Sequence, residues 1–365
     1  MYWIWIILFI AAELLLSAVQ FLLRKKDIKT LWRVVIIIAK FILAAAFAGL
    51  VLAGPVFLRP VQPFLVALYV ALLPDALADA IYSIAVRLKK SERKFVPYKI
   101  VSLVLGVLFC VYGTVNMQII TPRYHSYTSA KLTEEHRFIV AADMHVGSAQ
   151  NLKTTLKAIE KMKAEKPDFI LLCGDITDDY TSKEEMEATF KAFGELNIPV
   201  YYIYGNHEVV QHAQYIRGGL PYTSEELLLT ITQNGISVLA DEYVQIAPDL
   251  ELLGREDIAA DSQRKAVEAL PNPNEDLFLL TADHQPVDFA ANCKLGTDLQ
   301  VSGHTHAGQL FPLKSLFALI GGKVEGDYRE GEATMNVSSG VSGWRVPFRT
   351  ESHCHFEVIS LTPEK

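Results

Sequence analysis

Long apolar runs dominate the first third of the chain, and each approaches the roughly 20 residues that a helix needs to cross a bilayer. Polar or basic residues separate one run from the next. The runs cover residues 2–23, 34–58, 61–86 and 98–120. This pattern predicts a bundle of four transmembrane helices within residues 1–120.

Beyond this region the apolar runs become short and alternate with amphipathic segments. Residues 138–142, 169–173 and 200–204 have the length of buried strands, whereas 152–164 and 183–196 repeat apolar residues at helical spacing. The alternation predicts β-α-β units, and therefore an α/β domain over residues 136–365 that a polar linker at residues 121–135 joins to the bundle. Further strands are expected at residues 277–281, 299–302, 334–337 and 355–360.

The charge divides along the same boundary, because residues 1–120 carry a net charge of +8 and residues 121–365 a net charge of −15. Basic residues of the first part gather at residues 24–33 and 87–99, between predicted spans. Basic loops stay in the cytoplasm, so four crossings predict a multi-pass protein of the cell membrane with its α/β domain on the extracytoplasmic side. An acidic domain repels a phosphate polymer, so no nucleic acid is expected as a partner.

Four charged residues fall inside the predicted spans, where charge is costly and is often functional. They are Glu13, Lys40, Asp75 and Asp79. Asp75 and Asp79 share a helix face by their spacing. The alternative is that they pair with neighbouring residues or face a wet bundle interior, and no transport motif accompanies them.

Polar clusters follow the apolar runs of the second part, at the strand ends where open α/β sheets bind ligands. Carboxylates and imidazoles suit Mn, Fe or Zn, and a shared carboxylate can hold two cations about 3.5 to 4 Å apart. Folding alone gives no reason for these residue types to gather there, so we interpret them as ligands of two divalent metal ions. The clusters are Asp143-Met144-His145, Gly174-Asp175, Gly205-Asn206-His207-Glu208, His284 and Gly303-His304-Thr305-His306.

In this order the clusters resemble the pattern of the calcineurin-like metallophosphoesterase superfamily, which runs D-x-H, G-D, G-N-H-[DE], H and G-H-x-H. The resemblance covers residues 136–361. It implies a metal-dependent hydrolase of phosphoester or pyrophosphate bonds, built as two β-sheets flanked by helices. The expected fold is thus a bundle of four transmembrane helices followed by a four-layer αββα metallophosphoesterase sandwich.

The resemblance also implies a role for each residue. His207 would be the catalytic imidazole, supported by Asp178, and Asp179 is the alternative partner. Glu208 would shape the turn rather than bind metal. The first metal would be held by Asp143, His145, Asp175 and His306, and the second by Asp175, Asn206, His284 and His304.

The stretch SSGVSGWRVPFR at residues 338–349 resembles the end of a bacterial, often membrane-anchored branch of this superfamily. That branch includes UDP-diacylglucosamine pyrophosphatases, which implies a lipid-linked phosphate ester as substrate and the membrane as partner. Arg345 or Arg349 would grip a phosphate; the alternative is a glycine-rich turn with an arginine in a structural salt bridge. Gly308 and Gln309 continue the pattern of the branch and are expected to shape the loop.

A catalytically silent membrane scaffold or sensor that keeps its metals is the competing function, and the intact His207 argues against it. A metallo-hydrolase of the β-lactamase type needs HxHxDH in one run, which the sequence lacks. The sequence leaves open the substrate, the native metals and the oligomeric state. The remaining histidines are interpreted as surface or strand residues: His125, His136, His212, His353 and His355.

Overall fold

The computed structural model describes residues 11–13, 16, 30–53, 61–90, 95–209 and 221–364. The chain divides into two compact units. The first contains residues 1–115 together with Leu310–Leu313, and the second contains Asn116–Gln309 and Lys314–Lys365.

The N-terminal region contains three described helices that are long and apolar enough to cross a membrane. They are α1 (Thr30–Ala53), α2 (Gln62–Leu88) and α3 (Phe95–Gln118). They correspond to the second, third and fourth predicted spans, whereas nearly all of the first span, residues 2–23, lies outside the described residues. The described residues therefore contain three candidate spans, not a clear set of four.

The charged residues of the first unit pair with one another. Nζ of Lys40 lies 2.8 Å from Oδ2 of both Asp75 and Asp79. Nζ of Lys99 lies 3.1 Å from Oδ1 of Asp75 and 3.2 Å from Oε2 of Glu13. Burying an ion in an apolar setting is costly unless an opposite charge compensates it, so this network accounts for the polar residues that the sequence places within apolar helices.

The first sheet of the second unit is mixed, and its six strands lie in the order β1-β12-β2-β3-β4-β5. The strands β2, β3, β4 and β5 are parallel, β12 is antiparallel to β2, and β1 is parallel to β12. The bounds are β1 (Ile120–Ser129), β2 (His136–Ala141), β3 (Phe169–Cys173), β4 (Val200–Ile203), β5 (Ser237–Val238) and β12 (Cys354–Pro363).

The second sheet has the strand order β10-β11-β9-β8-β7-β6, with the four central strands parallel and both edge strands antiparallel. Each edge strand pairs through a short connection with its neighbour. The bounds are β6 (Glu242–Ala247), β7 (Leu250–Gly254), β8 (Phe278–Ala282), β9 (Leu299–Ser302), β10 (Gly326–Glu330) and β11 (Ala333–Val337).

Alternation along β2 shows how the layers form, because successive side chains of a strand point to opposite faces. Phe138 and Val140 pack between the two sheets, whereas Ile139 and Ala141 pack under helices on the outer face of the first sheet. This arrangement confirms the predicted α/β sandwich. The helices of this unit are α4 (Leu152–Ala164), α5 (Lys183–Gly194), α6 (Asn206–Val209), α7 (Ser224–Gln233), α8 (Phe289–Leu295) and α9 (Leu313–Leu319).

Residues 121–135 do not form the predicted linker. Most of them belong to β1, which pairs with β12 from Ile120 against Cys354 to Ser129 against Pro363. The strand was missed because its sequence, ITPRYHSYTS, is polar and contains Pro122. Proline removes a ladder donor and is tolerated at a sheet edge, which is where β1 lies.

Candidate metal centre

The polar clusters of the sequence lie where strands of both sheets end. The carboxyl ends of parallel strands meet at one edge of a sheet, so residues far apart in sequence are brought together. Asp143 and His145 follow β2, Asp175 follows β3, Asn206 opens α6 after β4, His284 follows β8, and His304 and His306 follow β9.

Two groups of metal-ligand side chains form at this edge. Within each group, one ligand atom from every residue lies within 4.8 Å of the others. The sequence assigned the same residues to two metals. It also placed Asn206 in the second set and counted Asp175 in both sets. The groups are Asp143, His145 and His306, and Asp175, His284 and His304.

Asp175 lies between the two groups. Its Oδ2 is 3.2 Å from Nε2 of His284 in one group and 3.7 Å from Nε2 of His145 in the other. Nε2 of His306 lies 3.5 Å from Oδ1 of Asp143. A carboxylate in this position has the geometry to contact both of two neighbouring cations.

The site suits metal ions because some of its buried ligand atoms have no hydrogen-bond partner. Among the described residues, Nε2 of His145 and Oδ1 of Asn206 are buried without a hydrogen-bond partner. The other ring nitrogens are occupied: Nδ1 of His284 donates to the carbonyl of Cys173 at 2.9 Å, and Nδ1 of His306 donates to that of Ser342 at 3.2 Å. Such bonds set the tautomer that leaves Nε2 available to a metal.

The electrostatics favour an ionised carboxylate at the centre. Burial by itself raises the pKa of Asp175, but the neighbouring imidazoles of His284 and His207 outweigh it and lower that pKa well below its ordinary value. Burial also lowers the pKa of His304 to about 4, with the charge of His284 adding to the effect, so this imidazole is neutral. The carboxylates around His145 and His284 outweigh burial and raise the pKa of both imidazoles. Metal binds the ionised carboxylate and the neutral imidazole, so a cation bound at these two histidines would displace their protons.

Several of these residues occupy the left-handed backbone region, which is costly for residues other than glycine. The φ values are 56° for Asp143, 42° for His145, 53° for Asp175, 71° for His304 and 48° for His306. Strain of this kind clusters at functional sites, where surrounding structure holds it in place.

Glycine permits the close approach of the strand ends. A Cβ atom on Gly303 would lie 2.6 Å from Oδ2 of Asp143, and one on Gly174 would lie 2.6 Å from Nδ1 of His284. Neither contact is tolerated, so the glycines of the G-D and G-H-x-H blocks are required by packing against the ligands.

The side chain of Asp178 contacts His145 rather than His207. Oδ2 of Asp178 lies 3.1 Å from Nδ1 of His145 and also accepts from Ser148. Burial raises the pKa of Asp178, but the hydrogen bond and charge of His145 outweigh it and leave that pKa lowered. The pairing predicted for Asp178 is therefore not the one found: Asp179, the alternative, has its Oδ2 4.0 Å from Nδ1 of His207.

A tryptophan that the motif analysis did not assign lies beside these imidazoles. The ring centroid of Trp344 is 4.1 Å from that of His207 and 5.4 Å from that of His145. Gln309 holds this loop, since its side chain accepts from the Trp344 backbone N–H at 2.7 Å and donates to the Trp344 carbonyl at 3.1 Å. Gln309 therefore shapes the loop as expected, and the Gly-Trp-Arg sequence was the available signal for Trp344.

Glu208 acts on the turn, as the sequence suggested. Its carboxylate accepts backbone N–H bonds from Asp175 at 2.9 Å, Thr177 at 3.0 Å and Gly205 at 2.8 Å. It thereby joins the end of β3 to the end of β4.

The two arginines of the tail differ. Arg349 is fully buried, and its guanidinium donates to the carbonyls of His306, Ser339 and Ser342 at 2.7 to 2.9 Å. The expectation that it grips a phosphate is wrong, because its donors hold the loop that carries His306. Arg345 is half-buried and stacks over Trp344 at 5.1 Å, so it remains the candidate for a phosphate contact.

The described histidines outside the motif blocks form hydrogen bonds with residues that are not candidate ligands of the two metals. His125 and His355 contact Glu357, and His353 contacts Asn116. His136 forms a third compact group with Glu134 and Asp249. Asp249 there accepts from His136 at 2.7 Å and from the backbone N–H of Thr133 at 2.6 Å, which accounts for it as a hydrogen-bonded cap. His212 lies outside the described residues.

Comparison with known proteins supports the same class. Residues 136–308 match the family model of the calcineurin-like phosphoesterases. An uncharacterized metallophosphoesterase of Campylobacter jejuni is 28% identical over 276 residues, which cover 72% of this chain and 70% of that protein. One from Helicobacter pylori is 28% identical over 242 residues, covering 64% of this chain and 62% of that protein.

A Danio rerio protein named transmembrane protein with metallophosphoesterase domain is 24% identical over 288 residues, covering 72% of this chain and 62% of that protein. The chain thus spans less than two thirds of the Helicobacter and Danio relatives. Among solved structures, a dimetal phosphatase from Danio rerio is similar at a TM-score of 0.38 and 11% identity, over 56% of this chain and 87% of that one.

The match over residues 136–308 supports membership of the calcineurin-like metallophosphoesterase superfamily. The match and the metallophosphoesterase relatives together support a metal-dependent phosphoester hydrolase. Enzymes of this class use a dinuclear divalent metal centre. Three apolar helices and a relative named as a transmembrane protein suggest association with a membrane.

Proposed function

We propose that this protein is a membrane-anchored hydrolase that cleaves a phosphodiester or pyrophosphate bond in an amphiphilic, lipid-linked substrate, using two divalent metal ions. The convergence of two ligand groups on Asp175 is the observation that carries the proposal. Its physical reason is that phosphoryl transfer needs concentrated positive charge beside the transferred group.

The ligands proposed from the sequence are retained. Asp143, His145, Asp175 and His306 would hold one ion, and Asp175, Asn206, His284 and His304 the other. Two bound cations would supply an acidified water and charge for the phosphoryl oxygens. The native metal, whether Mn, Fe or Zn, is a matter for direct metal analysis of the purified chain.

His207 is assigned to the leaving group. Its neighbour Asn206 already offers a buried oxygen from the same turn, and the His207 ring packs against Trp344 with ring centroids 4.1 Å apart. A protonated imidazole can give its proton to a departing alkoxide. Asp179 is the carboxylate nearest to the Nδ1 atom and is proposed to keep the imidazole charged.

The catalytic unit is proposed to lie outside the cytoplasm. The basic residues at 24–33 and 87–99 favour the cytoplasmic side for both loops. Protease added to intact spheroplasts should then remove residues after 121 without lysis. Digestion only after lysis would contradict this topology.

The substrate class is proposed from the tail and the membrane helices. Residues 338–349 resemble the branch that includes UDP-diacylglucosamine pyrophosphatases, and the Arg345 guanidinium lies over the ring of Trp344, which packs against His207. A lipid-linked pyrophosphate should therefore be cleaved faster than a soluble ester with the same scissile bond. Equal rates in detergent would contradict the preference.

One assay of phosphodiester hydrolysis separates the enzyme from a catalytically silent scaffold. Purified full-length chain with added Mn should hydrolyse bis-p-nitrophenyl phosphate, and Asp175→Ala should abolish this activity. If the wild-type chain binds two metals yet turns over neither this ester nor the lipid-linked substrates, the scaffold function replaces the enzyme.

A further inference from the structure

One apolar segment of the chain supplies no residue to either ligand group. Residues 311–320, FPLKSLFALI, follow the His306 loop and contain α9. Lys314 is the one charged residue in this segment.

The segment exposes large apolar side chains. Leu319 and Ile320 are each 81% exposed, and Leu316 and Phe317 are also exposed. Elsewhere in the catalytic unit, the exposed large aliphatic side chains among the described residues occur singly, as at Ile119 and Ile258, or as the pair Leu228 and Leu229. Isolated apolar residues on a surface are ordinary, but a contiguous apolar patch marks an interaction surface.

Both flanks of the segment are tied to the catalytic unit. The Gln309 carbonyl accepts from the backbone N–H groups of Thr350 and Glu351 at 2.9 and 3.0 Å. The Lys314 N–H donates to the Glu351 carboxylate at 2.7 Å, and the Val324 N–H donates to the Tyr328 hydroxyl at 2.8 Å. Hydrogen bonds therefore fix the backbone at both ends of the segment, and the exposed apolar side chains lie between them.

The start of the segment packs with the apolar helices of the first unit. Leu310–Leu313 belong to the same compact unit as the three apolar helices. Within that unit, the ring of Phe311 lies 6.2 Å from Phe41, a residue of the apolar helix Leu31–Leu52. A membrane that surrounds these apolar helices would therefore also be within reach of the segment, since the segment begins at Phe311.

We infer that residues 311–320 insert into the surface of a lipid leaflet and hold the metal centre against the headgroup layer. The helix α9 has 7 residues, too few to cross a bilayer but enough to lie in its interface. The substrate would then be an amphiphile whose phosphate lies at the polar surface of that leaflet. This last step rests on the proposed function, whereas insertion itself does not.

Lipid contact can be measured without any activity. The full chain in phosphatidylcholine nanodiscs, with and without acyl-chain-brominated lipid, is compared as Leu319→Trp and as Leu229→Trp. Leu229 is a matched control, because it is also an exposed leucine, 52% exposed, in the catalytic unit. The native tryptophans Trp3, Trp5, Trp32 and Trp344 contribute the same background to both variants.

Emission added by Leu319→Trp should be quenched by the brominated lipid, and emission added by Leu229→Trp should not. Equal quenching of both, or of neither, would overturn the inference. If bromine has no effect and Leu319→Asp instead changes the mass of the particle from two chains to one, a second copy covers the segment and lipid does not.

The functional consequence has its own readout. The double variant Leu319→Asp with Ile320→Asp should lower the ratio of lipid-linked to bis-p-nitrophenyl phosphate turnover by at least about fivefold, since carboxylates are expelled from lipid. The control is Leu228→Asp with Leu229→Asp, which should leave this ratio as in wild type. An unchanged ratio in the first variant contradicts the role in substrate access. If wild type cleaves neither ester, the proposed function fails while the quenching result still decides insertion.

Discussion

Replacing Asp178 by asparagine tests whether this carboxylate serves a metal ligand or the catalytic imidazole. Asp178 accepts from Nδ1 of His145 at 3.1 Å, from Ser148, and from the Tyr180 backbone N–H at 2.9 Å. Every one of these neighbours acts as a donor. An asparagine amide must turn its NH₂ group toward either His145 or Tyr180, and each orientation places donor against donor.

The consequence for His145 follows from its tautomer. Loss of the Nδ1 acceptor favours a proton on Nε2, and a protonated Nε2 cannot bind metal. Removing a carboxylate behind a metal-bound histidine typically lowers metal affinity about 10- to 100-fold, which is about 1.4 to 2.7 kcal/mol. We expect Asp178→Asn to weaken one metal site by this factor.

The assay is equilibrium dialysis of the full-length chain in detergent against buffered Mn or Zn, with metal content read by mass spectrometry. Asp179→Asn is the matched control, since Asp179 lies near His207 and should leave metal affinity within about twofold. If Asp178→Asn binds both metals normally and selectively slows esters with poor leaving groups, Asp178 supports His207 and the structural pairing is irrelevant to catalysis.

The remaining predictions concern the bridge, the imidazole and the buried arginine. Asp175→Ala should lose both metals, because only this side chain is assigned to both ions; two metals per chain in the variant would show that another group bridges. His207→Ala should keep its metals and slow an alkyl ester by about 10² to 10⁴-fold, while an activated nitrophenyl ester slows much less. Equal slowing would assign His207 to the nucleophile instead. Arg349→Ala removes three buried hydrogen bonds and leaves the Ser339 carbonyl without a partner, at a cost of about 1 to 3 kcal/mol for that carbonyl alone, so thermal unfolding in detergent should occur at a clearly lower temperature than for Arg345→Ala. Coincident melting would mean that water or rearrangement satisfies that carbonyl.

The fold was predictable where periodicity carried the information. The residues predicted for α4 and β3 are those found, because a long amphipathic repeat and a short buried apolar run have few alternative structures. The strand β1 was not predictable, since its polar residues and Pro122 match an exposed segment equally well. Its strand conformation comes from pairing with β12, more than 200 residues away in the sequence.

The sequence predicted which residues form the candidate site, but it did not predict every contact between their side chains. Five blocks in a fixed order identified the residues that now converge at the strand ends, because parallel topology brings consecutive strand ends together. The offset between Asp175 and Asp178 could not show which imidazole the second carboxylate faces. Left-handed backbone at Asp175 and at His145 redirects the chain there, and sequence spacing does not encode that turn.

The tail shows the same division. The sequence alone identified Arg345 and Arg349 as two cations near the motif, with equal standing. Burial separated them, because Arg349 is enclosed by backbone carbonyls that it must satisfy, whereas Arg345 is half-buried over the Trp344 ring. A buried guanidinium whose donors are already used has none left for a phosphate.

By itself the sequence determined that the chain has an apolar, basic first part and an acidic α/β part, and it singled out a defined set of Asp, Asn and His residues as candidate metal ligands. These properties depend on composition, periodicity and order, which are local. Tertiary structure alone decided that Asp178 faces His145, that Arg349 is structural and that Leu319 and Ile320 project outward. Those outcomes depend on which surfaces meet across sheets and loops, and that is set by packing between residues distant in the chain.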